Sequence, residues 1–339
     1  MAQIVKVSAV IPTRNRPESL IRTVAALIAQ SQPLEEIVIV DSSDEPLDAR
    51  LLPDSQATRI HCLTSQASVC LQRNIGIEAA QGDYVFLCDD DVEPPADYVE
   101  LLSNYIIESG AVAVTGLCLQ KSEDGRWVFE YPVNTFRRLV RYYVFQQSIW
   151  GSIDRVGTNW LTRPFARYIQ RRYRIRGNSV TRAGWPVLTQ FDGDVIRTRI
   201  YALGASIIKK TCFDSNQFDE TLDPHGLGDN YGVAIGFPDK IHVVKKTFFH
   251  HHVATENRLS SELATFRRIL ALHYFLCLDS NRSARIWLMW SLLGRLLTCL
   301  VGDRKNARGT ARAMLLILTK KNPYLMARAS GKKFVAPLI

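Results

Sequence analysis

The chain has 339 residues, of which 47% are hydrophobic and 22% are charged. This length and composition predict a globular protein with a large core and two lobes or domains, and they exclude a disordered or fibrous chain. The net charge of +9 is unevenly distributed, because the segment from residue 258 to the end carries 15 Lys and Arg against three acidic residues.

A second basic block lies between residues 131 and 176, which contain ten Arg and one acidic residue. The rest of the chain is therefore an acidic body with two basic appendages. Basic blocks interleaved with aromatic residues are typical of surfaces that bind nucleic acid or an anionic membrane.

The cysteines and the N-terminus both indicate an intracellular protein. Seven Cys are scattered without a Cys-x-x-Cys pair, which indicates neither a disulfide framework nor a structural zinc site. The first residues lack the charged head, apolar core and cleavage site of a signal peptide. We therefore expect a cytoplasmic protein.

The first part of the chain alternates between short apolar runs and amphipathic segments. Strands are predicted at residues 5–11, 37–40, 59–63, 84–87 and 112–119, and helices from Pro17, at 68–80 and at 96–108. Strict alternation of this kind predicts a parallel sheet wound with helices.

The fourth predicted strand ends in three consecutive carboxylates, Asp89, Asp90 and Asp91. The carboxyl ends of parallel strands form the edge where α/β proteins bind ligands. Adjacent anions repel one another unless they are solvated or meet a cation, and hard oxygen ligands suit Mg²⁺ or Mn²⁺. A solvated acidic turn is the alternative. In an extended strand Asp89 and Asp91 share an orientation, so Asp90 should point away and be the most replaceable.

Polar residues also follow the first two strands, at positions 13–16 and 41–44. We expect these loops to converge with the three aspartates at one edge of the sheet. The sequence has neither a Gly-x-Gly-x-x-Gly after the first strand nor a P-loop, which argues against a dehydrogenase-type fold and a P-loop NTPase. A nucleotide held by aspartates and a metal is compatible with the pattern.

Four motifs in the same order resemble the family 2 glycosyltransferases of the GT-A fold. They are Val-Ile-Pro-Thr-Arg-Asn-Arg-Pro (10–17), Ile-Val-Ile-Val-Asp-Ser-Ser (37–43), Gln-Arg-Asn-Ile-Gly-Ile (72–77) and Gly-Asp-Tyr-Val-Phe-Leu-Cys-Asp-Asp-Asp (82–91). The resemblance implies an α/β fold of GT-A type, with a mostly parallel twisted sheet wound with helices. It also implies an inverting enzyme that uses a nucleotide diphosphate sugar.

The resemblance further implies roles for individual residues on the donor side. Asp41 would read the base, Arg73 would contact the base or the phosphates, and Asp89 and Asp91 would form the DxD pair, with Asp91 as the direct metal ligand. A turn aspartate and a polar helix face are the alternatives for Asp41 and Arg73. The implied donor-binding residues are Pro12, Thr13, Arg14, Asp41, Arg73, Asp89 and Asp90.

Glycosyl transfer also needs a carboxylate on the acceptor side. A divalent cation neutralises the diphosphate leaving group, and a general base must remove the proton of the acceptor hydroxyl. The family usually shows a Gly-Glu-Asp motif that opens a helix, whereas this chain reads Gly228-Asp229-Asn230. By resemblance we assign the base to Asp229, which is also suited to cap that helix. The implied acceptor-binding residues are Gly204, Ala205 and Asn230.

Three consecutive histidines, at positions 250–252, follow a strand-like stretch. By resemblance, one of them completes the metal or diphosphate site and Arg258 closes over the diphosphate. In an extended strand His250 and His252 face one way and His251 the other. We name His250 and His252 as candidate metal ligands.

The remaining segments define three predicted domains. Residues 1–120 form a nucleotide-sugar-binding lobe, and residues 121–257 form an acceptor-binding lobe with an Arg-rich and aromatic insertion at about 125–200. Residues 258–339 form a basic, amphipathic helical region. Its helix at 286–301 is too short to span a membrane and carries Arg295 in its middle, but it suits an interfacial position on an anionic inner leaflet. Burial within a helical bundle or a homo-oligomer is the alternative.

The sequence thus predicts an inverting, Mg²⁺- or Mn²⁺-dependent glycosyltransferase that transfers one hexosyl or deoxyhexosyl group. The expected acceptor is a glycan or a lipid-linked molecule in cell-surface polysaccharide or glycolipid synthesis, at the inner face of the membrane. No nucleic-acid partner is expected. The alternatives are a sugar-1-phosphate nucleotidyltransferase and a non-catalytic membrane- or nucleic-acid-binding protein on a decayed GT-A fold.

Overall fold

A computed structural model describes residues 5–222, 225–253, 259–280, 282–302 and 304–331. The strands are β1 (Val7–Thr13), β2 (Glu36–Asp41), β3 (Arg59–Thr64), β4 (Tyr84–Cys88), β5 (Val92–Glu93), β6 (Ala113–Lys121), β7 (Trp127–Val128), β8 (Ile149–Trp150), β9 (Ser179–Val180), β10 (Pro186–Leu188), β11 (Val195–Thr198), β12 (Ala205–Lys209) and β13 (Ile241–His251). The helices are α1 (Pro17–Ile28), α2 (Val69–Ala79), α3 (Tyr98–Ser109), α4 (Phe136–Val144), α5 (Arg163–Arg176), α6 (Asp229–Ile235), α7 (Ser261–Leu278), α8 (Arg282–Gly302), α9 (Arg304–Leu318) and α10 (Pro323–Ala329).

Across the described ranges the centre of the molecule is a ten-stranded sheet with the order β11-β13-β6-β12-β4-β1-β2-β3, in which β5 and β7 extend the edge of β13 and β6. Strands β3, β2, β1 and β4 are mutually parallel. Strand β12 runs antiparallel between β4 and β6, so β6 and its parallel neighbour β13 point the same way as β1 to β4. The predicted α/β fold with a mostly parallel sheet is confirmed, and six strands deliver their carboxyl ends to one edge.

Helix α2 fixes the ends of the first two strands. The side-chain amide of Gln72 donates hydrogen bonds to the carbonyls of Thr13 (2.8 Å) and Val40 (2.7 Å). The helix lies so close to β1 that a Cβ on Gly76 would fall 2.3 Å from Cγ1 of Val10. The loops that follow β1 and β2 therefore start from fixed points.

Tyr98 joins helix α3 to the strands where the sheet direction changes. Its side chain is fully buried, and its hydroxyl donates to the Ala205 carbonyl (2.6 Å) while it accepts from the amide of Gly116 (2.8 Å). This polar bridge satisfies buried backbone groups of β12 and β6, which would otherwise cost free energy. It holds the start of β12 beside the end of β4.

The insertion has a small core of its own. Strands β8, β10 and β9 form a three-stranded sheet, and helices α4 and α5 pack beside it. The buried residues of this core are Val133, Leu139, Ile149, Ile153, Ala166, Ile169, Tyr173 and Val187. The division of the chain at residues 120 and 257 stays a prediction.

Helix α8 packs against this insertion. The indole of Trp290 donates to the Val144 carbonyl (2.8 Å), and that of Trp185 donates to the hydroxyl of Ser291 (3.1 Å). A Cβ on Gly294 would lie 2.1 Å from the Phe145 ring, so glycine permits the close approach. None of the described helices is long and apolar enough to cross a membrane.

Candidate active site

A cavity of about 1290 Å³ lies at the carboxyl edge of the sheet. It is bounded by the first lobe, helix α6, the insertion and helices α7 and α8. The wall nearest the sheet contains Thr13, Arg73, Asp89, Asp91, Asp229 and His251. Residues from four distant parts of the sequence therefore meet at the edge where the motif pattern predicted a site.

Arg73 lies between two carboxylates. Its guanidinium donates one hydrogen bond to Asp89 (2.6 Å) and another to Oδ2 of Asp229. Burial lowers the pKa of Arg73, but Asp229 and Asp89 more than reverse this effect and leave the pKa above its ordinary value. The group is therefore a permanent cation that joins the end of β4 to the start of α6, although the resemblance implied a contact with the base or phosphates.

Asp229 is the first residue of α6 and faces the cavity. Burial raises the pKa of its carboxyl group, and Arg73 opposes this shift. The amide of Asn230 donates to its Oδ1 (2.6 Å). Among the described residues, the side-chain oxygen of Asn230 is buried without a hydrogen-bond partner, so it is available to a ligand.

Asp90 differs from its predicted position. It is only 4% exposed and accepts hydrogen bonds from the hydroxyl of Thr13 (2.8 Å) and the guanidinium of Arg16 (3.0 Å). Burial raises the pKa of Asp90 to about 6, although Arg16 opposes the shift. The expectation that Asp90 points away is wrong because the strand ends at Cys88 and the chain turns, so the alternation of a strand does not extend to this residue.

His251, rather than His250 or His252, faces the cavity. Its Nε2 lies 3.2 Å from Oδ1 of Asp91, and its Nδ1 contacts the amide of Gln120 at 3.0 Å. Burial lowers the pKa of His251, but hydrogen bonds with Asp91 and Cys118 raise it to about 10.

The other two histidines lie on the opposite face of β13. The rings of His250 and His252 lie 4.4 and 5.5 Å from Trp127, and His252 pairs with Glu93 (2.7 Å). The predicted metal ligands His250 and His252 therefore do not line the cavity, and His251 is the histidine of the three that does. The signal was present in the sequence, because His251 follows the core residue Phe249 by two positions and so shares its face.

The predicted donor-binding residues of the first loop line the cavity, whereas Asp41 of the second loop does not. Pro12 and Thr13 line the cavity, as does Arg14, which pairs with Asp44 (3.0 Å). The carboxylate of Asp41 is used within its own loop, where it accepts from the amides of Ser43 (2.9 Å) and Leu47 (2.9 Å). Asp41 is thus a turn aspartate at the border of the site, and its neighbour Ser42 lines the cavity instead.

Gly204 and Ala205 do not line the cavity. Ala205 is fully buried in the sheet, and the Gly204 carbonyl accepts from the amide of Asp89 (2.8 Å). A Cβ on Gly204 would lie 2.1 Å from Oδ2 of Asp89. We therefore replace the predicted acceptor contact with a positioning role for Gly204, which leaves room for the Asp89 carboxylate. Arg258 lies outside the described residues.

The side chains present fit the divalent metal that the resemblance implies. In the described part of the chain, no group of three or more His, Cys, Asp or Glu is placed to hold a metal ion alone. Mg²⁺ and related cations at phosphate-transfer sites commonly take one or two protein ligands and complete their shell with substrate phosphates and water. Asp91 and His251 converge as such a pair, whereas Asp89 is engaged by Arg73.

The opposite side of the cavity is aromatic. Trp150 and Tyr201 stack with ring centroids 4.9 Å apart, and both rings line the cavity together with Trp185. Flat apolar rings beside polar groups are common in sites that bind small molecules. The insertion and Tyr201 just after it thus supply an aromatic wall to the cavity.

The model of the Glycosyl transferase family 2 matches residues 8–177, which are half of the chain. The chain belongs to glycosyltransferase family 2. The matched region contains Arg73 and the three aspartates, whereas Asp229 and His251 lie beyond it. This membership supports glycosyl transfer over the nucleotidyltransferase and the non-catalytic alternative.

Two curated relatives are named as glycosyltransferases, one of them as putative. "Glycosyltransferase GlyG" of Streptococcus pneumoniae is 23% identical over 208 residues, which are 60% of this chain and 67% of the relative. "Putative teichuronic acid biosynthesis glycosyltransferase TuaG" of Bacillus subtilis is 32% identical over 124 residues, which are 35% of this chain and 49% of the relative.

Two solved structures resemble this chain. One is GalNAc-T7 with UDP, GalNAc and Mn²⁺, with a TM-score of 0.49, 14% identity, and coverage of 89% of this chain and 58% of that chain. The other is the S. aureus TarS 1-349 fragment in complex with UDP, with a TM-score of 0.47, 12% identity, and coverage of 96% and 92%.

The position of Gly204 can be tested by adding a single methyl group. In Gly204→Ala, the new methyl overlaps Oδ2 of Asp89 and pushes the carboxylate from Arg73. We expect a loss of stability of about 1–3 kcal/mol, as for other overpacked sites, measured by urea unfolding. Gly157→Ala is the control, because a Cβ there meets only the Asn134 carbonyl at 3.4 Å. Equal unfolding midpoints for the two variants would contradict the assignment.

Proposed function

We propose that this glycosyltransferase is an inverting, divalent-metal-dependent enzyme that transfers one hexosyl or deoxyhexosyl group from a nucleotide diphosphate sugar. Its acceptor is a glycan or a lipid-linked molecule of cell-surface polysaccharide or glycolipid synthesis. The observation that carries this proposal is the pair of bonds from Arg73, which hold Asp89 and Asp229 on the wall that also presents Asp91 and His251. A donor-side and an acceptor-side carboxylate thus face one cavity.

On the donor side, Asp91 and His251 are the residues that would hold the cation, and a bound cation would supply positive charge to the diphosphate leaving group. Thr13 and Arg16 keep Asp90 beside Asp91, so the loop after β1 is fixed against the donor site. Pro12 and Ser42 line the adjoining part of the cavity, where the nucleoside is placed by this proposal.

On the acceptor side, Asp229 accepts the proton of the attacking hydroxyl. The new bond forms between the acceptor oxygen and the anomeric carbon, and the bond from that carbon to the phosphate oxygen breaks with its electron pair leaving on the diphosphate. A raised pKa brings a carboxylate closer to the operating pH of a general base. The side-chain oxygen of Asn230 is free among the described residues to accept a hydrogen bond from an acceptor hydroxyl.

Metal-dependent donor binding tests the donor side. Asp91→Asn keeps the size of the side chain but removes its charge, so we expect the affinity for the nucleoside diphosphate in Mn²⁺ to fall at least tenfold. Calorimetric titration with a panel of nucleoside diphosphates, with and without Mn²⁺, measures this effect. Glu93→Gln is the matched control on the neighbouring strand. Unchanged affinity in Asp91→Asn would remove Asp91 as a metal ligand.

Turnover tests the base separately from donor binding. Asp229→Asn cannot accept a proton, so we expect transfer to fall at least a hundredfold, in the range seen for lost general bases. Binding of the nucleotide and Mn²⁺ should persist within about threefold, because Arg73 keeps one carboxylate partner. Single-turnover assays with the sugar donors that bind give the comparison. Wild-type turnover in this variant would exclude Asp229 as the base.

We also propose that the protein associates peripherally with the inner, anionic face of the membrane, as predicted for the C-terminal region. Helix α8 presents an outward apolar stripe at helical spacing: Ile286, Trp290, Leu293 and Leu297 are 72, 41, 39 and 53% exposed. Exposed apolar stripes flanked by basic residues are typical of helices that lie in a membrane interface.

The insertion adds a second stripe. Leu161, Phe165, Tyr168 and Ile175 are 56, 64, 56 and 69% exposed along α5 and the turn before it. The adjacent row of this helix consists of the exposed residues Arg163, Arg167, Arg171 and Arg174. Aromatic contacts between Tyr143 and Tyr168 and between Phe145 and Trp290 join α5 to α8 through α4. The two stripes therefore belong to connected elements.

Vesicle binding tests this surface. We expect the protein to sediment with phosphatidylglycerol/phosphatidylcholine vesicles and less with pure phosphatidylcholine. Replacing Ile286 and Phe165 together by Ser should weaken binding at least tenfold, because each buried apolar side chain contributes about 2 kcal/mol. Leu51→Ser is the control at an exposed residue elsewhere. Equal binding to the two kinds of vesicle would overturn the membrane assignment. So would light scattering that shows a homodimer in the wild type and a monomer in the double variant.

A further inference from the structure

One wall of the cavity at the carboxyl edge of the sheet is cationic, and its residues lie outside the motifs of the first lobe. Arg141 of α4, Arg268 of α7 and Arg295 of α8 all line it. The cavity is also larger than the roughly 300–1,000 Å³ of a pocket for a single small ligand, which leaves space beside a donor.

These arginines have no carboxylate partner among the described residues. The ion pairs at the cavity involve Arg14, Arg16, Arg73 and His251 instead. In the described part of the chain, the Nε atoms of Arg141 and Arg295 are buried without a hydrogen-bond partner. The Arg295 guanidinium makes a long contact with the Thr265 hydroxyl (3.4 Å), and the Arg141 guanidinium lies 4.8 Å from the centre of the Tyr142 ring. Buried donors of this kind are normally satisfied, so their presence indicates a missing acceptor.

Arg268 and Arg295 also repel each other. Arg268 is solvent-accessible, yet burial and the charge of Arg295 lower its pKa. Both features fit a side chain that projects into the cavity. A guanidinium stays protonated in proteins, so two neighbouring ones cannot relieve the repulsion by losing a proton. An anion between them relieves it.

We propose that Arg268 and Arg295, with Arg141 beside them, form a subsite for an anionic group of the acceptor, of phosphate or carboxylate chemistry. The planar fork of a guanidinium matches both groups with paired hydrogen bonds. The stacked rings of Trp150 and Tyr201 line the same cavity and provide a surface for a sugar. The proposal rests on the proposed function, because it takes Asp229 as the point where the acceptor hydroxyl lies.

The diphosphate of the donor has the same chemistry, so the test separates the two sources. Inorganic pyrophosphate is titrated into the whole chain with EDTA present, which removes the metal-dependent donor site. We expect Arg268→Gln and Arg295→Gln each to weaken this binding at least tenfold, and Arg268→Lys to retain most of it. Arg155→Gln, at an exposed position of the insertion, is the control and should bind as the wild type does.

The second titration uses a nucleoside diphosphate with Mn²⁺. We expect its affinity to stay within twofold in both glutamine variants. A parallel loss of nucleotide affinity would assign the pair to the donor diphosphate, and pyrophosphate binding that is unchanged in the variants would remove the anionic subsite. If the wild-type protein bound no nucleoside diphosphate, the donor proposal would fail, whereas the pyrophosphate result would still decide whether the anion subsite exists.

Discussion

The two hydrogen bonds from Arg73 organise the site. They connect a carboxylate at the end of β4 with one at the start of α6, which are separated by 140 residues of sequence. Without the guanidinium, the buried carboxylate of Asp229 would face the partly exposed carboxylate of Asp89. Breaking a buried ion pair by removing one partner typically costs about 3–5 kcal/mol. The guanidinium therefore permits two carboxylates to lie on one wall of the cavity.

Several neutral contacts keep Arg73 in place. Gln72 anchors the same helical turn to two strand ends, and the Asn74 side chain donates to the Phe218 carbonyl (2.9 Å) and accepts from the Phe218 amide (3.0 Å). The Phe218 ring lies 5.1 Å below the guanidinium. Three successive residues of α2 thus contact three different parts of the protein. These contacts fix the position of the helix.

The sequence predicted the sheet and the location of the site because both depend on local patterns. Apolar runs of four or five residues marked β2 and β4, and motif order placed Thr13, Arg73 and Asp89 at one edge. The predictions that changed are those that assumed an extended strand at a particular residue. Asp90 was assigned by the alternation of a strand that ends before it, and His250 was preferred to His251 although the alternation itself was correct.

Other features depend on contacts between distant segments, which no local pattern encodes. The approach of Gly204 to Asp89 and the partnership of Arg73 with Asp229 are of this kind. The same holds for the arginines of the cavity wall, since neither Arg268 nor Arg295, which stands in the middle of an apolar segment, shows in the sequence which neighbour it faces. Only the packing of α7, α8 and the insertion reveals that these side chains face inward.

Helix α8 separates two environments. Ser291 and Arg295 face the cavity, and the stripe from Ile286 to Leu297 lies on the opposite side of the same helix. The thickness between them is one helix diameter, about 10–12 Å with side chains. In the proposed membrane association, the outer stripe touches the bilayer, and an acceptor anchored there needs a headgroup of about this length to reach the cavity. On that proposal, α8 is a spacer that selects acceptors by the length of their headgroup.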